Sequence, residues 1–466
     1  MHDQQGHAHW RRTLAVLCLL CGALAFQETG VLPVLPTIQR QLAGAGTVSS
    51  ALLESGFLMV AAVAAPLIGK LGDDRGKQRM LLVTLAVYFV GALGAALAPD
   101  FLVLVIFRSL QGVGGALFSL SFAIMRDEAS ERLSVAIGWL VGAFGLGACL
   151  GLGLSGLITE ALSWRWIFFA ETLLIVAGAG LVAWLVPARP GSHRVRIDYV
   201  GLALLAGSLI VLIGALTVML MLGWPVFALF LVAIALFLAW LRHERRVEQP
   251  LLDTRVLAKP RVLLANIGSG LAGYVGFAIY FLVPRFVQTP LHLPAEVAAQ
   301  VHYGFGAEAL AVGLYLLPVG VGVLCAGPSG GVIGRRIGGK WPFAGGLLLM
   351  ALGSALLACF HHRQVPFAIW LFLIGAGFGF SVGAAGVFIT QSVKAGETAI
   401  ATAFNSVTRL VSGGIGAEVA ASILKSQGIG NSSTPHELAF VVAFGIGALL
   451  ALVGCGVALL VPPGKD

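Results

Sequence analysis

Six ionisable residues lie within long apolar runs of this 466-residue chain, where a charge is costly to hold. A charged side chain at the centre of a bilayer costs about 2.5–3.5 kcal/mol even on insertion scales, so such residues usually face a cavity or a partner. There they carry protons, bind charged ligands or form buried ion pairs. The six are four acids and two bases, at Glu28, Glu54, Glu171, Glu418, Arg108 and Arg409.

Glu28 and Arg108 occupy matching positions in the first and fourth apolar runs. Glu28 lies six residues before Val34, near the end of its run, and Arg108 lies seven residues after Phe101, near the start of its run. At about 1.5 Å per helical residue, both lie roughly 10 Å below the same surface. Equal depth predicts a charge pair in which Glu28 carries a proton or anchors a cationic substrate and Arg108 adjusts its affinity. The alternative is a static buried ion pair.

The remaining ionisable residues each have a functional and a structural interpretation. Glu171 lies at a similar depth in the sixth run, where it either joins the site or hydrogen-bonds to a neighbouring helix. Glu418 follows the small residues 413–417, which favour close helix packing, so it is either a site residue or a buried partner. Arg409 lies about two to three helical turns earlier and either counters Glu418 or binds an anionic substrate. Glu54 lies within about one turn of Ser50, near the start of the second run, where it is either a site residue or, as we expect, wetted at the membrane surface.

The composition indicates that these runs cross a membrane. Hydrophobic residues make up 58% of the chain and charged residues 11%, against about 25% charged residues in soluble domains. A helix needs about 20 apolar residues to cross the ~30 Å hydrocarbon layer. Runs of this length number fourteen, at about 12–34, 50–70, 79–97, 101–125, 134–157, 165–186, 198–220, 225–241, 262–288, 308–333, 341–360, 367–392, 399–424 and 437–462.

The basic residues set the orientation and exclude a nucleic-acid partner. The net charge of +8 is spread over the loops between apolar runs rather than over one basic domain. With a cytoplasmic N-terminus and alternating spans, 22 of the 29 Lys and Arg residues face the cytoplasm, five face outside and two stay in the membrane. This asymmetry predicts a multi-pass protein of the cell (inner) membrane with both termini in the cytoplasm. All six cysteines fall in apolar runs, so we expect neither a disulfide framework nor a metal site.

An internal repeat divides the chain. Residues 69–76 and 331–338 share the pattern G-x-[L/I]-G-x-x-x-G, and each follows the second apolar run of a set of six. Two such halves around a site at the membrane midplane are common in secondary transporters. We therefore predict an all-α membrane protein with two six-helix bundles and two extra central spans. The predicted boundaries are 1–187 for the N-terminal bundle, 188–261 for the linker with two additional transmembrane helices, and 262–466 for the C-terminal bundle.

Several motifs resemble those of the major facilitator superfamily, in particular its fourteen-helix drug:proton antiporter branch. Residues 69–79 resemble the signature loop of the family, with Asp73 at the acidic position and Asp74 where a basic residue is usual. Residues 108–116 match the R-x-x-Q-G-x-G motif. Segments 35–38, 162–169, 198–205 and 248–253 resemble further family segments at the end of span one, at the start of span six and around the extra helices.

The sequence also departs from the family pattern. Ala148 follows Gly147 where antiporters of the family have a Gly-Pro pair. The usual aspartate position of the first span aligns with Gln27, so the acid is displaced to Glu28. Glu171 stands where Asn is usual.

The resemblance implies a secondary active transporter that works by alternating access. The implied function is proton-coupled, multidrug-type efflux of lipophilic or cationic small molecules, and the alternative is uptake or exchange of a metabolite. An intramembrane enzyme or a sensor is disfavoured, because the chain lacks H-E-x-x-H, G-x-S-x-G and P-loop motifs and a large soluble segment. We expect no cofactor. The expected partners are a small-molecule substrate, protons and the lipid bilayer, and the oligomeric state is left open. The expected proton-coupling or substrate-binding residues are Glu28, Arg108, Glu171, Glu418 and Arg409.

The signature loop is expected to act as a conformational switch. An acid at a helix end accepts hydrogen bonds from the N-terminus of another helix, so Asp73 is expected to lock one of the two transporter states. The glycines allow a tight turn and close packing. The expected switch residues are Gly69, Gly72, Asp73, Arg75, Gly76 and Lys77.

Overall fold

The protein is a bundle of long helices. A computed structural model describes residues 2–43, 51–128, 133–190, 198–247, 254–289, 297, 301–393, 398–429 and 434–460. Fourteen helices in these ranges are long and apolar enough to cross a membrane, and the same ranges contain no β-strand. The shortest has 19 residues, about 28 Å at 1.5 Å per residue, which matches the hydrocarbon layer. The predicted all-α fold with fourteen spans is confirmed.

The first six spans form the N-terminal half. They are α1 (His2–Gly30), α2 (Leu52–Arg75), α3 (Lys77–Ala96), α4 (Phe101–Glu128), α5 (Leu133–Ala161) and α6 (Arg165–Leu185). A short helix, Leu35–Ile38, and a π-helical turn, Gln39–Ala43, follow α1. The predicted linker and the chain end include residues 191–197, 248–253 and 461–466, which lie outside the described residues, so the predicted domain boundaries stay predictions.

The last six spans repeat the arrangement of the first six. The two helices between the halves are α7 (Tyr199–Leu222) and α8 (Val226–Glu244). The C-terminal half contains α9 (Pro260–Gln288), α10 (Ala309–Ile337), α11 (Lys340–Cys359), α12 (Gln364–Thr390), α13 (Thr398–Ser426) and α14 (Glu437–Leu460). Within the halves, α1 packs on α5 as α9 packs on α13, α2 on α4 as α10 on α12, and α3 on α6 as α11 on α14.

Two interfaces join the halves, α2 against α13 and α5 against α10. They are equivalent under the internal repeat, because α2 corresponds to α10 and α5 to α13. The pair α7 and α8 is central in the sequence but peripheral in space: α7 packs on α2 and α13, while α8 packs mainly on α7 and is the least buried span. The most enclosed spans are α1 and α9.

Glycines set the spacing of the helices that build the centre. A Cβ atom on Gly147 of α5 would lie 2.0 Å from the carbonyl oxygen of Gly22 on α1. The two backbones are therefore in contact, although Ala148 stands where antiporters of the family have a proline. In α4 the residues Gly112–Gly114 form a 3₁₀ turn, and a Cβ atom on Gly112 would lie 2.3 Å from the carbonyl oxygen of Phe57 on α2. The glycines of the R-x-x-Q-G-x-G motif thus bring α4 against α2.

Candidate functional site

Arg108 is the centre of a buried polar network in the N-terminal half. Its side chain is fully buried, and Nη1 donates a hydrogen bond of 3.0 Å to Oε1 of Gln111 one turn later on α4. Its Nη2 lies 3.7 Å from Oε2 of Glu54 on α2, which forms a buried ion pair. The guanidinium also stacks over the ring of Phe57, 4.4 Å from its centroid, in a cation–π contact. Arg108 therefore ties α4 to α2 by charge and by packing.

Two glutamines extend this network to α1 and α3. Gln27 Nε2 donates a close hydrogen bond to Oε1 of Gln111, the atom that also accepts from Arg108. The hydroxyl of Tyr88 on α3 donates to Oε1 of Gln27 at 3.1 Å. Gln27, Gln111 and Tyr88 are all buried, so each of these bonds replaces water that the interior excludes. The position where the family usually has an aspartate is thus filled by a hydrogen-bonded amide.

Glu28 lies beside the network, but its side chain is not the close ion-pair partner of Arg108. The main-chain carbonyl of Glu28 accepts from Nη2 of Arg108 at 3.5 Å, and the acid that pairs with Arg108 within 4 Å is Glu54. The carboxylate of Glu28 is half-buried and interacts electrostatically with two arginines, Arg108 and Arg409. The expected proximity of Glu28 and Arg108 is therefore seen, whereas Glu54 makes the closer charge contact.

The expectation that Glu54 is wetted at the membrane surface is wrong. Its side chain is only 2% exposed, and neither carboxylate oxygen has a hydrogen bond among the described residues. The reason is that α2 is covered at this level by α4 on one side and by α13 on the other. Sequence position near the start of a span does not show which neighbours surround it.

Glu171 faces the same network from α6. It is fully buried. Its electrostatic neighbours are Tyr88 and Arg108. The structure thus places three acids, Glu28, Glu54 and Glu171, around Arg108.

Glu418 and Arg409 reach this region from the opposite half. Oε1 of Glu418 on α13 accepts a hydrogen bond of 2.9 Å from the hydroxyl of Ser55 on α2, across the interface of the two halves. Arg409, also on α13, has Glu28 of α1 as its electrostatic partner. Arg409 therefore interacts with an acid of the other half rather than with Glu418 of its own helix.

The two halves are joined at the end of the bundle where α1 ends and α2 begins. The Ser55–Glu418 bond lies near that end. On the other interface, Oε1 of Glu160, the second-last residue of α5, accepts a bond of 2.8 Å from the backbone N–H of Leu310, near the start of α10. We call this the joined end.

The sequence matches a family model over most of its length. The model is that of the Major Facilitator Superfamily, and it covers residues 17–417. The chain belongs to the Major Facilitator Superfamily. Its fourteen apolar helices agree with a family of multi-pass membrane transporters.

Similar proteins agree with this family and carry several functional names. An uncharacterised MFS-type transporter of Mycobacterium tuberculosis (strain ATCC 25618 / H37Rv) is 29% identical over 87% of this chain. The chain spans 58% of the length of that relative. A multidrug resistance protein B homolog of the same strain is 26% identical over 89% of this chain and 76% of its own length.

The fold is also that of a solved transporter structure. The partially occluded inward-open conformation of the xylose transporter XylE from E. coli superposes with a TM-score of 0.65 at 15% sequence identity. The alignment covers 98% of this chain and 99% of that one. At this identity the match shows a shared fold.

The signature loop of this MFS transporter packs within the N-terminal half. Asp73 is exposed in the last turn of α2, and its Oδ1 lies 3.8 Å from Nζ of Lys77, the first residue of α3. Lys77 also makes a close ion pair with Asp127 and donates to the carbonyl of Ala123 at 3.5 Å, both near the end of α4. The loop therefore ties three helices of one half together. The proposed switch role of Asp73 stays a prediction.

The other expected switch residues take different positions. Gly76 has a φ of 94°, which L side chains rarely adopt, and a Cβ atom on Gly72 would lie 2.9 Å from Cδ2 of Leu120 on α4. A Cβ atom on Gly69 would meet open space, and Arg75 is an exposed neighbour of Asp74. Gly76 thus makes the tight turn and Gly72 the close packing, whereas Gly69 has neither role.

The second copy of the loop has the same geometry. Gly338, which corresponds to Gly76, ends α10 with a φ of 85°. Gly334, which corresponds to Gly72, faces Val387 of α12, as Gly72 faces α4. The internal repeat read from the sequence is therefore a structural repeat.

Sequence reasoning missed several residues of the site. Gln111 and Tyr88 hydrogen-bond within the network around Arg108, and Ser55 bonds Glu418 across the interface, yet none of the three carries a charge that would mark it within an apolar run. One signal was available, because Gln111 is the glutamine of the R-x-x-Q-G-x-G pattern and lies one turn after Arg108. Tyr88 and Ser55 had no such signal.

Proposed function

We propose that this transporter exports lipophilic or cationic small molecules in exchange for protons. The observation that carries the proposal is the position of Glu28. Its half-buried carboxylate interacts electrostatically with Arg108 of its own half, which also bonds the Glu28 main-chain carbonyl at 3.5 Å, and with Arg409 of the opposite half. An acid that senses charges on both halves has a proton affinity that depends on how the halves are arranged.

The coupling follows from elementary electrostatics. A nearby cation favours the ionised form of a carboxylate, and loss of water disfavours it. Alternating access moves the two halves relative to each other around a central site. Arg108 moves with Glu28, whereas Arg409 moves with the other half. A rearrangement that changes proton affinity by one pKa unit alters the free energy by about 1.4 kcal/mol, so a modest movement is enough to load or release a proton.

Aromatic residues of α9 and α12, linked to Glu28 through Tyr280, suit a lipophilic cation. Tyr280 of α9 interacts electrostatically with Glu28, and the ring of Phe277 lies one turn earlier on the same helix. Phe277 makes an edge-to-face contact with Phe378 of α12, with ring centroids 6.2 Å apart. Aromatic faces next to a carboxylate attract an organic cation through their quadrupoles and exclude water from it.

The arrangement of the halves supports export. With both termini in the cytoplasm, as the distribution of basic residues predicts, the joined end faces outside. A site that opens at the opposite end would receive its substrate from the cytoplasm, as an exporter requires. The name of the Mycobacterium tuberculosis multidrug resistance protein B homolog points in the same direction.

A proteoliposome assay with an imposed pH gradient tests the proposal. Wild-type protein is expected to accumulate a cationic dye when the gradient is present and not when an ionophore collapses it. Glu28→Gln keeps the shape of the side chain but cannot titrate, so it should lose gradient-driven accumulation by at least tenfold while it retains exchange of labelled dye. Glu308→Gln, an exposed acid just before α10, is the matched control and should behave as wild type.

Two outcomes contradict parts of the proposal. If Glu28→Gln still concentrates the dye against its gradient, another acid carries the proton, and Glu171 or Glu418 becomes the candidate. If the wild type ignores dyes but exchanges small metabolites in the same vesicles, the alternative of metabolite uptake or exchange is correct.

A further inference from the structure

Two histidines and a glutamate converge at the joined end of the C-terminal half, away from the central site. His361 and His362 follow the end of α11, and Glu437 is the first residue of α14. Nε2 of His361 lies 2.7 Å from Oε1 of Glu437, and Nε2 of His362 lies 3.5 Å from the same oxygen. One ligand atom from each residue lies within 4.8 Å of the other two. The cysteine positions had predicted no metal site, and His361 and Glu437 are 76 residues apart in the sequence.

The hydrogen bonds of His361 leave a position for a cation. Its Nδ1 lies 2.9 Å from the carbonyl oxygen of Leu357, which can only accept, so Nδ1 carries a hydrogen. In a neutral ring Nε2 is then a bare lone pair, and it faces a carboxylate oxygen at 2.7 Å. Two lone pairs at this distance repel, so either a proton lies between them or the two atoms move slightly apart to bind one metal ion. A histidine that donates Nδ1–H to a main-chain carbonyl is a common arrangement in metal sites, because the bond fixes the tautomer and the ring.

The second histidine favours the metal over the proton. One proton between His361 and Glu437 would satisfy that pair and leave His362 with no role. His362 nevertheless directs its Nε2 at the same carboxylate oxygen, and the centroids of the two rings are only 4.5 Å apart. Two imidazolium rings at this distance would repel each other. A single divalent ion uses both imidazoles as neutral ligands and the carboxylate as its anionic ligand.

The site is held by its surroundings but stays accessible. His361 is 3% exposed and packs edge-to-face on Phe286 of α9, with centroids 5.5 Å apart, so its ring is fixed. His362 has a side chain that is 61% exposed and is free to adjust. Glu437 also lines an open pocket of about 400 Å³ that includes His302 and His436. A metal here has one fixed ligand, one adjustable ligand, and space for water or a further histidine at the fourth position.

We propose that His361, His362 and Glu437 bind a divalent transition-metal ion of the zinc class at the joined end. Two imidazoles and one carboxylate, with an open fourth position, are a ligand set that zinc adopts. Imidazole ligands select zinc, copper and nickel over magnesium and calcium, which require oxygen ligands. In a tetrahedral site with metal–ligand distances of 2.0–2.2 Å, the ligand atoms lie roughly 3.3 Å from one another. The three side chains would therefore each move by about 1 Å or less to bind the ion. The ion would link α11 to α14.

Metal binding to the tag-free, full-length protein in detergent tests this proposal independently of transport. Calorimetric titration with Zn²⁺ is expected to show one site, and Mg²⁺ at the same concentration is expected to show none. Zn²⁺ should raise the unfolding temperature, and its affinity should fall as the pH is lowered because protons compete for the ligands. His362→Ala, at an exposed position, should fold normally and weaken zinc binding at least tenfold. Glu437→Gln should weaken it by as much or more.

Matched controls separate this site from adventitious binding. His243→Ala removes a histidine at the other end of the bundle and should leave zinc affinity unchanged. If wild-type protein does not bind Zn²⁺, or if His362→Ala and Glu437→Gln bind it as the wild type does, the proposal is overturned. Stability that depends on pH but not on Zn²⁺ would also overturn it, because a proton alone would then fill the position between His361 and Glu437.

Discussion

The single residue on which the centre of the N-terminal half depends is Arg108. It is fully buried and has four kinds of partner: the carboxylate of Glu54, the amide oxygen of Gln111, the main-chain carbonyl of Glu28 and the ring of Phe57. Breaking a buried charge pair by removing one partner typically costs about 3–5 kcal/mol, because the remaining charge is left in a dry interior. Arg108 is therefore important for stability as well as for the proposed coupling.

A double-mutant experiment separates the charge pair from the rest of the network. Arg108→Gln should destabilise the protein strongly, by about 3–5 kcal/mol, because Glu54 loses its cation. Adding Glu54→Gln removes the unpaired charge, so the double variant should unfold at a higher temperature than Arg108→Gln alone. Thermal unfolding in detergent measures both. Equal melting temperatures for Arg108→Gln and the double variant would show that Glu54 leaves no costly unpaired charge at the 3.7 Å contact once Arg108 is removed.

At the scale of elements, a side-chain cap determines how α7 begins. Oδ1 of Asp198 accepts a bond of 2.9 Å from the backbone N–H of Gly201 and lies 2.9 Å from Nε2 of His243 on α8. Burial raises the pKa of Asp198, but the bonds from Gly201 and His243 outweigh it, so the pKa of this carboxyl is lowered. Asp198 thus caps α7 and fastens it to α8.

The lowered pKa of Asp198 predicts a pH dependence of stability. Asp198→Ala should cost about 1 kcal/mol near neutral pH, the usual value of an N-cap, and Asp198→Asn should cost less because an amide also caps. A carboxyl whose pKa is depressed in the folded state stabilises the protein at pH values above its pKa in the unfolded chain, about 3.9. This stabilisation is lost as the pH falls through the pKa of the folded state. The melting temperatures of wild type and Asp198→Asn should therefore converge below about pH 4. A constant difference down to pH 3 would contradict the charge contribution.

The signature loop gives a second prediction at this scale. If Asp73 stabilises one of the two transporter states, Asp73→Asn should slow exchange between them while substrate affinity stays within about twofold. Transport rate in proteoliposomes and equilibrium binding of the same substrate are the two measurements. Lys77, which bridges Asp73 and Asp127, has to be considered separately, since Lys77→Gln would also loosen α4. Equal losses of binding and transport in Asp73→Asn would argue against a switch.

At the scale of the whole molecule, the two interfaces between the halves decide which side of the site is accessible. A native cysteine lies in one of them: a Cβ atom on Gly320 of α10 would be 3.0 Å from Sγ of Cys149 on α5. This is close to the distance between the Cβ atom of one cysteine and the sulfur of the other in a disulfide, given S–S and C–S bond lengths of about 2 Å. Gly320→Cys is therefore expected to pair with Cys149.

Oxidation of Gly320→Cys is expected to fix the halves in the observed arrangement. Transport should fall at least tenfold under oxidising conditions and recover when a reductant cleaves the bond. Gly320→Ala tests the effect of the added carbon alone, and Gly320→Cys combined with Cys149→Ser removes the partner thiol; both should be insensitive to oxidant. Full transport by the oxidised, cross-linked protein would show that α5 and α10 do not separate in the cycle.

The sequence by itself determined the fold class, the number of spans and the repeat. Crossing a hydrocarbon layer requires about 20 apolar residues per helix. This requirement is local, so each apolar run shows by itself that it can cross. The glycines of residues 69–76 and 331–338 mark equivalent turns for the same reason, since a positive φ at Gly76 and Gly338 is a property of single residues.

Only the tertiary structure decided which charges meet. Helix depth placed Glu28 near Arg108, but depth does not give the rotation of a helix or its neighbours. The packing of α2 against α4 and α13 therefore gave Glu54, rather than Glu28, the ion pair with Arg108 and buried it. The same holds for Arg409 with Glu28, and for His361 with Glu437. These contacts join distant segments, and their partners are selected by the packing of whole helices, which no single run of sequence specifies.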